Sequence, residues 1–319
     1  MRDVLITFDA TFFAILQVFL VILAAGALVR LKVISQSHIQ GLTAATVVVF
    51  LPCMTFANIT QNFRVEDFPR WWLLPLSAVA MVGVGLALAG LAFARELPQK
   101  RNMLALACLQ NAGYLVLPIG QALFPDRFDG EFSVYCFLYI LGLSPLLWSL
   151  GKHLCTAEHG DSLKWRSLNT PPFVACLLAL FFVFTGLRRY IPAPANEALS
   201  LLGKATVPVA TFVLGASLGS IHVRIRPYLF DASRALLIKM FLIPAGMILV
   251  LRWLGVKPGD GILGAFFVIQ AASAPATALI LQVRHYGGDE QKIGSVILMA
   301  YVLAAITIPL WYAIWLALA

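Results

Sequence analysis

Nine stretches of this chain run for roughly 20 residues each without a single charge, which is what a bilayer-spanning helix requires. They cover 10–29, 39–63, 71–94, 102–125, 132–151, 167–187, 205–223, 261–283 and 293–319. A tenth, 235–251, is interrupted only by Lys239. Charged residues make up 12% of the 319 positions, where a soluble domain carries about 25%, and the remaining connections are too short to fold alone. The runs predict an all-α membrane protein of ten transmembrane helices. The first run is read as a retained span and not as a signal peptide, because little basic charge precedes it and Arg30 and Lys32 follow it.

Charge in the connections orients the bundle. The connections between odd and following even spans hold thirteen lysines and arginines, and the opposite side holds eight. By the positive-inside rule both termini lie outside and the central loop is cytoplasmic. The net charge of +8 then reads as loop anchoring to an anionic inner leaflet of the lipid bilayer, with no call for nucleic acid. Cys53, Cys108, Cys136, Cys155 and Cys176 are scattered, mostly inside spans, and read as small hydrophobes. The five histidines lie in loops or at span ends, so no metal cluster and no cofactor is expected.

Ten spans divide as five and five. An odd number per half makes the second half enter from the opposite side, an inverted repeat. The halves are read as 1–155 and 171–319, joined by a cytoplasmic loop at 156–170. A shift of 160 residues aligns Ala45-Thr46-Val47 with Ala205-Thr206-Val207, and Gln110 with Gln270. Spans 2 and 7 each contain a proline, Pro52 and Pro208, read either as a plain kink or as a hinge. Small residues, among them Gly83, Gly85 and Gly90 in span 3 and Gly215 and Gly219 in span 7, suit close helix approach.

Spans 4 and 9 are broken. The first reads Gln110-Asn111-Ala112-Gly113 and then Pro118; the second reads Gln270-Ala271-Ala272-Ser273-Ala274-Pro275-Ala276-Thr277. A helix interrupted in hydrocarbon frees backbone groups that need protein partners or a cavity. Each new N-terminus exposes N–H groups and about half a positive charge, so two such ends make a carboxylate site without arginine. The new half-helix starts are expected near Pro118 and Pro275, since proline suits a first helical turn.

Asn111, Gln110 and Gln270 can donate and accept. They either contact the ligand or satisfy carbonyls freed at the breaks. Ser273 and Thr277 either contact it or bond back to the preceding turn. Gly113 would let the backbone unwind. Two charges lie within spans, Lys204 and Lys239. Lys204 is a candidate anion contact, and both could snorkel to an interface. No Asp or Glu lies deep in a span, which leaves open coupling to protons, to sodium or to the membrane potential.

Asn111 with Pro118, Leu202-Gly203-Lys204-Ala205-Thr206-Val207-Pro208 with Gly215-Ala216-Ser217-Leu218, and Pro275 with Tyr286-Gly287-Gly288-Asp289 together resemble the auxin efflux carrier family. The resemblance covers essentially the whole chain. It implies the fold of the bile-acid and sodium/proton transporter superfamily, with spans 1, 2, 6 and 7 as a scaffold and spans 3–5 and 8–10 as a moving core. It also implies that spans 4 and 9 cross at their prolines, that the core moves like an elevator, that the substrates are small organic anions such as auxin or dicarboxylates, and that a homodimer forms. One departure is Ala276-Thr277-Ala278-Leu279, where several relatives carry a second amide. An anion channel and a membrane sensor are the other readings. No constellation for catalysis is present, so an enzyme is not expected.

Overall fold

Backbone groups inside hydrocarbon have no water to pair with, so each apolar run must close its own hydrogen bonds. In the computed structural model they do so as helices. The structure describes residues 2–156, 170–221, 224–258 and 260–318. The expected loop 156–170 therefore lies, apart from its two end residues, outside the described residues. In chain order the helices are α1 (Arg2–Arg30), α2 (Gln36–Asn62), α3 (Leu73–Ala92), α4 (Leu97–Cys108), α5 (Val116–Leu123) and α6 (Pro125–Cys155). Then follow α7 (Pro171–Phe184), α8 (Ala193–Gly219), α9 (Arg226–Trp253), α10 (Leu263–Ala272), α11 (Ala278–Tyr286) and α12 (Glu290–Leu316).

Seven of these, namely α1, α2, α3, α6, α8, α9 and α12, are long and apolar enough to cross a membrane. The chain is a multi-pass membrane protein. The expectation of ten spanning helices is met only in part, for a reason visible in each missing case. The fourth and ninth apolar runs are each split into two helices, α4/α5 and α10/α11. The sixth, α7, has 14 residues, about 21 Å at 1.5 Å per residue, short of a hydrocarbon core of about 30 Å.

Two prolines shape the spanning helices. A proline cannot donate to the carbonyl four residues earlier, and its ring collides with it. Ahead of Pro52 the helix widens into a π turn over Thr46–Phe50, with Leu51 N–H bonded to the Thr46 carbonyl. At Pro208 the interruption is a single tight turn at Ala205, after which the helix resumes. Both prolines lie within continuous spans.

Helix α1 packs against α8 and α12, and α2 packs against α7 and the first half of α8. Helix α3 packs on α4 and α6, and α10 on α9 and α12. The α1–α8 contact is backbone on backbone. A Cβ added at Gly215 would sit 2.2 Å from the Ile22 carbonyl oxygen, and one at Gly219 would sit 2.5 Å from that of Gly26. Of the glycines in α3, Gly85 alone abuts another helix, at Cys108 of α4; Gly83 and Gly90 face open space. Gly215→Ala is therefore expected to force α1 and α8 apart at a cost of about 1–3 kcal/mol, whereas Gly83→Ala should be neutral. Thermal unfolding of the two variants side by side checks this, and equal melting temperatures would show that α1 yields freely.

Candidate functional site

The two breaks meet. Helix α4 ends when Leu109 turns extended, and α10 ends when Ser273 does the same. Pro275 favours the second ending, because it has no N–H to give the Ala271 carbonyl four residues earlier. The extended stretches lie antiparallel with Gln110 opposite Pro275. Asn111 N–H donates to the Ala274 carbonyl at 2.9 Å, and Ala276 N–H donates to the Leu109 carbonyl at 3.0 Å. This places Gln110 and Pro275 at the non-hydrogen-bonded position of an antiparallel pair, the one place where proline's missing N–H is not called on. Leu109, Ala274 and Ala276 are all buried, so the backbone groups freed by one break are satisfied by the other.

Asn111 ties this bridge to its surroundings. Its Nδ2 donates to the Tyr301 hydroxyl at 2.5 Å and to Thr277 Oγ1 at 3.3 Å. Its Oδ1 accepts from Tyr114 N–H at 3.0 Å, an otherwise orphan donor ahead of α5. Gln110 turns the other way, with Nε2 donating to the Tyr139 hydroxyl and to Met81 Sδ, the latter at 3.2 Å. Gln270 is fully buried beside Tyr139. Neither of its amide atoms, nor Gln110 Oε1, finds a hydrogen bond of regular geometry. Ser273 Oγ donates back to the Gln270 carbonyl at 2.8 Å, the local alternative anticipated for a hydroxyl there.

Of the two expected half-helix starts, the one at Pro118 holds and the one at Pro275 needs correction. Pro118 stands in the first turn of α5, two residues after its start at Val116. Pro275 lies three residues ahead of α11, which begins at Ala278. The contact between the breaks is thus made by Gln110 and Pro275, and Pro118 takes no part in it. Gly113 adopts no left-handed backbone conformation, and the nearest atom to a Cβ there would be Ile140 Cδ1 at an ordinary 3.8 Å. The break therefore needs no glycine at that position.

The two lysines stand in different surroundings. Lys204 is exposed and lines a polar cavity of about 540 Å³ with Asn58, Gln61, Asn62, Gln121, Asp129 and Ser200. It is the only cation on that wall among the described residues. Lys239 does not snorkel. Helix α9 begins at Arg226, well ahead of the uncharged run, so Lys239 stands mid-span, about 20 Å from either end. It is fully buried and its Nζ donates to the Ala271 carbonyl at 3.0 Å.

A narrow seam adjoins both the polar cavity and the segment that follows the first break. Gly113, Tyr114, Leu117 and Pro118 face Thr46, Leu51, Thr206, Val207 and Ala210 across a void of only about 10 Å³. That is scarcely room for one water. Val207 borders both spaces. Thr46 and Thr206, which coincide at the 160-residue shift, flank the void together. Of the expected site residues, Gln110, Asn111, Gln270, Ser273, Pro275 and Thr277 gather at the breaks. Gly113 and Pro118 line the seam, and Lys204 lies beyond it. Pro52 and Pro208 border neither void. Among the described residues no cluster of His, Cys, Asp or Glu could hold a metal. Tyr301, Tyr139 and Met81 were not anticipated. Their signal was a hydroxyl or thioether in an otherwise apolar span, which is too common to single out.

Comparison with known proteins places the chain in a family. A family model described as membrane transport protein matches residues 10–163 and 155–312. Protein PIN-LIKES 7 of Arabidopsis thaliana is 20% identical, over 85% of this chain and 87% of its own length. An uncharacterized transporter of Methanocaldococcus jannaschii is 21% identical, over 88% of this chain and 90% of its own. Protein PIN-LIKES 5 of Arabidopsis thaliana is 20% identical, over 91% and 92%.

Proposed function

This chain belongs to the membrane transport protein family, and from that premise we propose that it is a secondary transporter of small organic anions. The observation that carries the reading is a polar cavity that shares Val207 with a narrow seam at the start of α5, beside two broken helices. Its wall offers amides, a hydroxyl and the ammonium of Lys204, which hydrate and attract a carboxylate, beside the single carboxylate of Asp129. Past the seam, the N-terminal ends of α5 and α11 present the partial positive charge that suits an anion. Discontinuous spans at equivalent places in two halves are where transporters bind substrate.

The moving parts are assigned by the resemblance to the auxin efflux carrier family. Helices α1, α2, α7 and α8 form one group, read as the scaffold. Helices α3–α6 and α9–α12 form the core that carries the breaks, and the seam lies between the groups. Sliding of the core past the scaffold would open the seam to the polar cavity on one face and to the cytoplasm on the other, an elevator-type cycle. In this reading the polar cavity, at the ends of α2 and α6 marked by Asn62 and Asp129, opens outside. Both termini lie on that side and the protein works as a homodimer.

Counterflow in proteoliposomes tests the proposal. Radiolabelled malate and indole-3-acetate, each at the outer face, should enter at a saturable rate that rises when the same acid is loaded inside. Flux that grows linearly with concentration and ignores the internal acid would point to a channel, and no flux of any carboxylate would remove the anion assignment.

A further inference from the structure

Lys239 is not used by the transport cycle outlined above, and its surroundings are unusual for a buried charge. Its segment, the π turn Ile238–Leu242, packs against α3, α4, α10 and α12. Among the described residues it has no ion-pair partner. Its hydrogen bond goes to the carbonyl of Ala271. In an unbroken helix that carbonyl would accept from residue 275, four positions on, but residue 275 is proline and has no N–H. The lysine therefore supplies the donor that the break removes. The C-terminal end of α10, carrying about half a negative charge, thus meets one buried ammonium. The same turn packs against α4, whose last residue is Cys108.

We propose that the space at the C-terminal end of α10, beside α4, is a monovalent-cation site, which the chain fills with its own primary ammonium, Lys239. The occupant a vacated site would accept is a small primary ammonium ion, which can both neutralise the helix end and donate to Ala271. An isolated ammonium is costly in a membrane interior, and the helix C-terminus offsets that cost where no carboxylate is present. The inference goes beyond the transport reading and is tested on stability, so its failure and the failure of that reading are distinguishable.

The test uses the full chain purified in detergent, as wild type, Lys239→Ala and Lys239→Gln. The probe is n-propylammonium chloride, which matches the atoms that Lys239→Ala deletes beyond Cβ. Tetramethylammonium chloride at equal ionic strength is the control, since it carries charge but no N–H. Lys239→Ala should melt about 5 °C or more below wild type. Propylammonium should restore at least half of that loss, saturably, while tetramethylammonium does not, and wild type should ignore both. Lys239→Gln keeps a donor and most of the volume but lacks the charge, so it should also melt low and resist rescue. If Lys239→Ala does not fold, Lys239→Gln decides the matter. Wild-type melting in either variant, or equal effects of the two salts on Lys239→Ala, overturns the proposal.

Discussion

Replacing Asn111 with alanine should reduce transport by at least about tenfold and destabilise the protein by about 2–4 kcal/mol. The size of the effect follows from what the amide does. Its loss leaves the Tyr114 N–H and the Tyr301 hydroxyl without the partners they have at 3.0 and 2.5 Å, and each buried group left unpaired costs about 1–3 kcal/mol. The bridge between the breaks would then lose its link to α12, and the start of α5 would lose its orientation towards the seam. Tyr301→Phe removes only one of these bonds and should cost less. Asn111→Asp can still accept from Tyr114 but no longer donates, and it adds a negative charge where an anion is to bind. It should transport no better than alanine. Proteoliposome uptake read beside thermal unfolding separates the outcomes. An Asn111→Ala protein that is destabilised yet transports at the wild-type rate would make the amide a clamp alone.

Charge reversal at Lys204 should act differently. Lys204→Glu is expected to raise KM about tenfold or more while leaving kcat near the wild-type value. The side chain lines the polar cavity and does not reach the breaks, so it acts on arrival of the anion and not on the later step. Being exposed, it is screened by salt. Raising ionic strength should therefore raise KM for wild type and lower it for the variant, so that the two converge. A fall in kcat with KM unchanged would place Lys204 in the moving step instead.

The helices were legible because uncharged runs of membrane length have few ways to fold. The breaks were legible because proline and clustered amides interrupt such runs at equivalent places. What each break contacts was not. Pro118 and Pro275 look alike in sequence, yet only Pro275 fits a non-hydrogen-bonded bridge position opposite Gln110. The partners of Asn111 and Gln110 lie 190 and 29 residues away, on spans that are apolar on every face, so periodicity could not point to Tyr301 or Tyr139. The depth of Lys239 was hidden for a related reason. Depth was counted from the edge of an uncharged run, but α9 extends through Asp231 and Arg234 to Arg226. Those charges are themselves paired, Asp231 with Lys100 and Arg234 with Glu96, which lets the helix continue and sets Lys239 at its middle.

The bridge at Gln110 and Pro275 also sets the order in which the protein can be made. Each break supplies the acceptors and donors that the other lacks, and the two are some 165 residues apart in the chain. At a synthesis rate of about 5–20 residues per second, the first break emerges roughly 8–33 s before the second exists. During that interval the carbonyl of Leu109 and the amide of Asn111 have no protein partner. Left in lipid they would be costly, so the first broken segment is expected to wait in a hydrated or incompletely inserted state. The centre of the bundle would then be the last part to form, sealed only once the second half arrives.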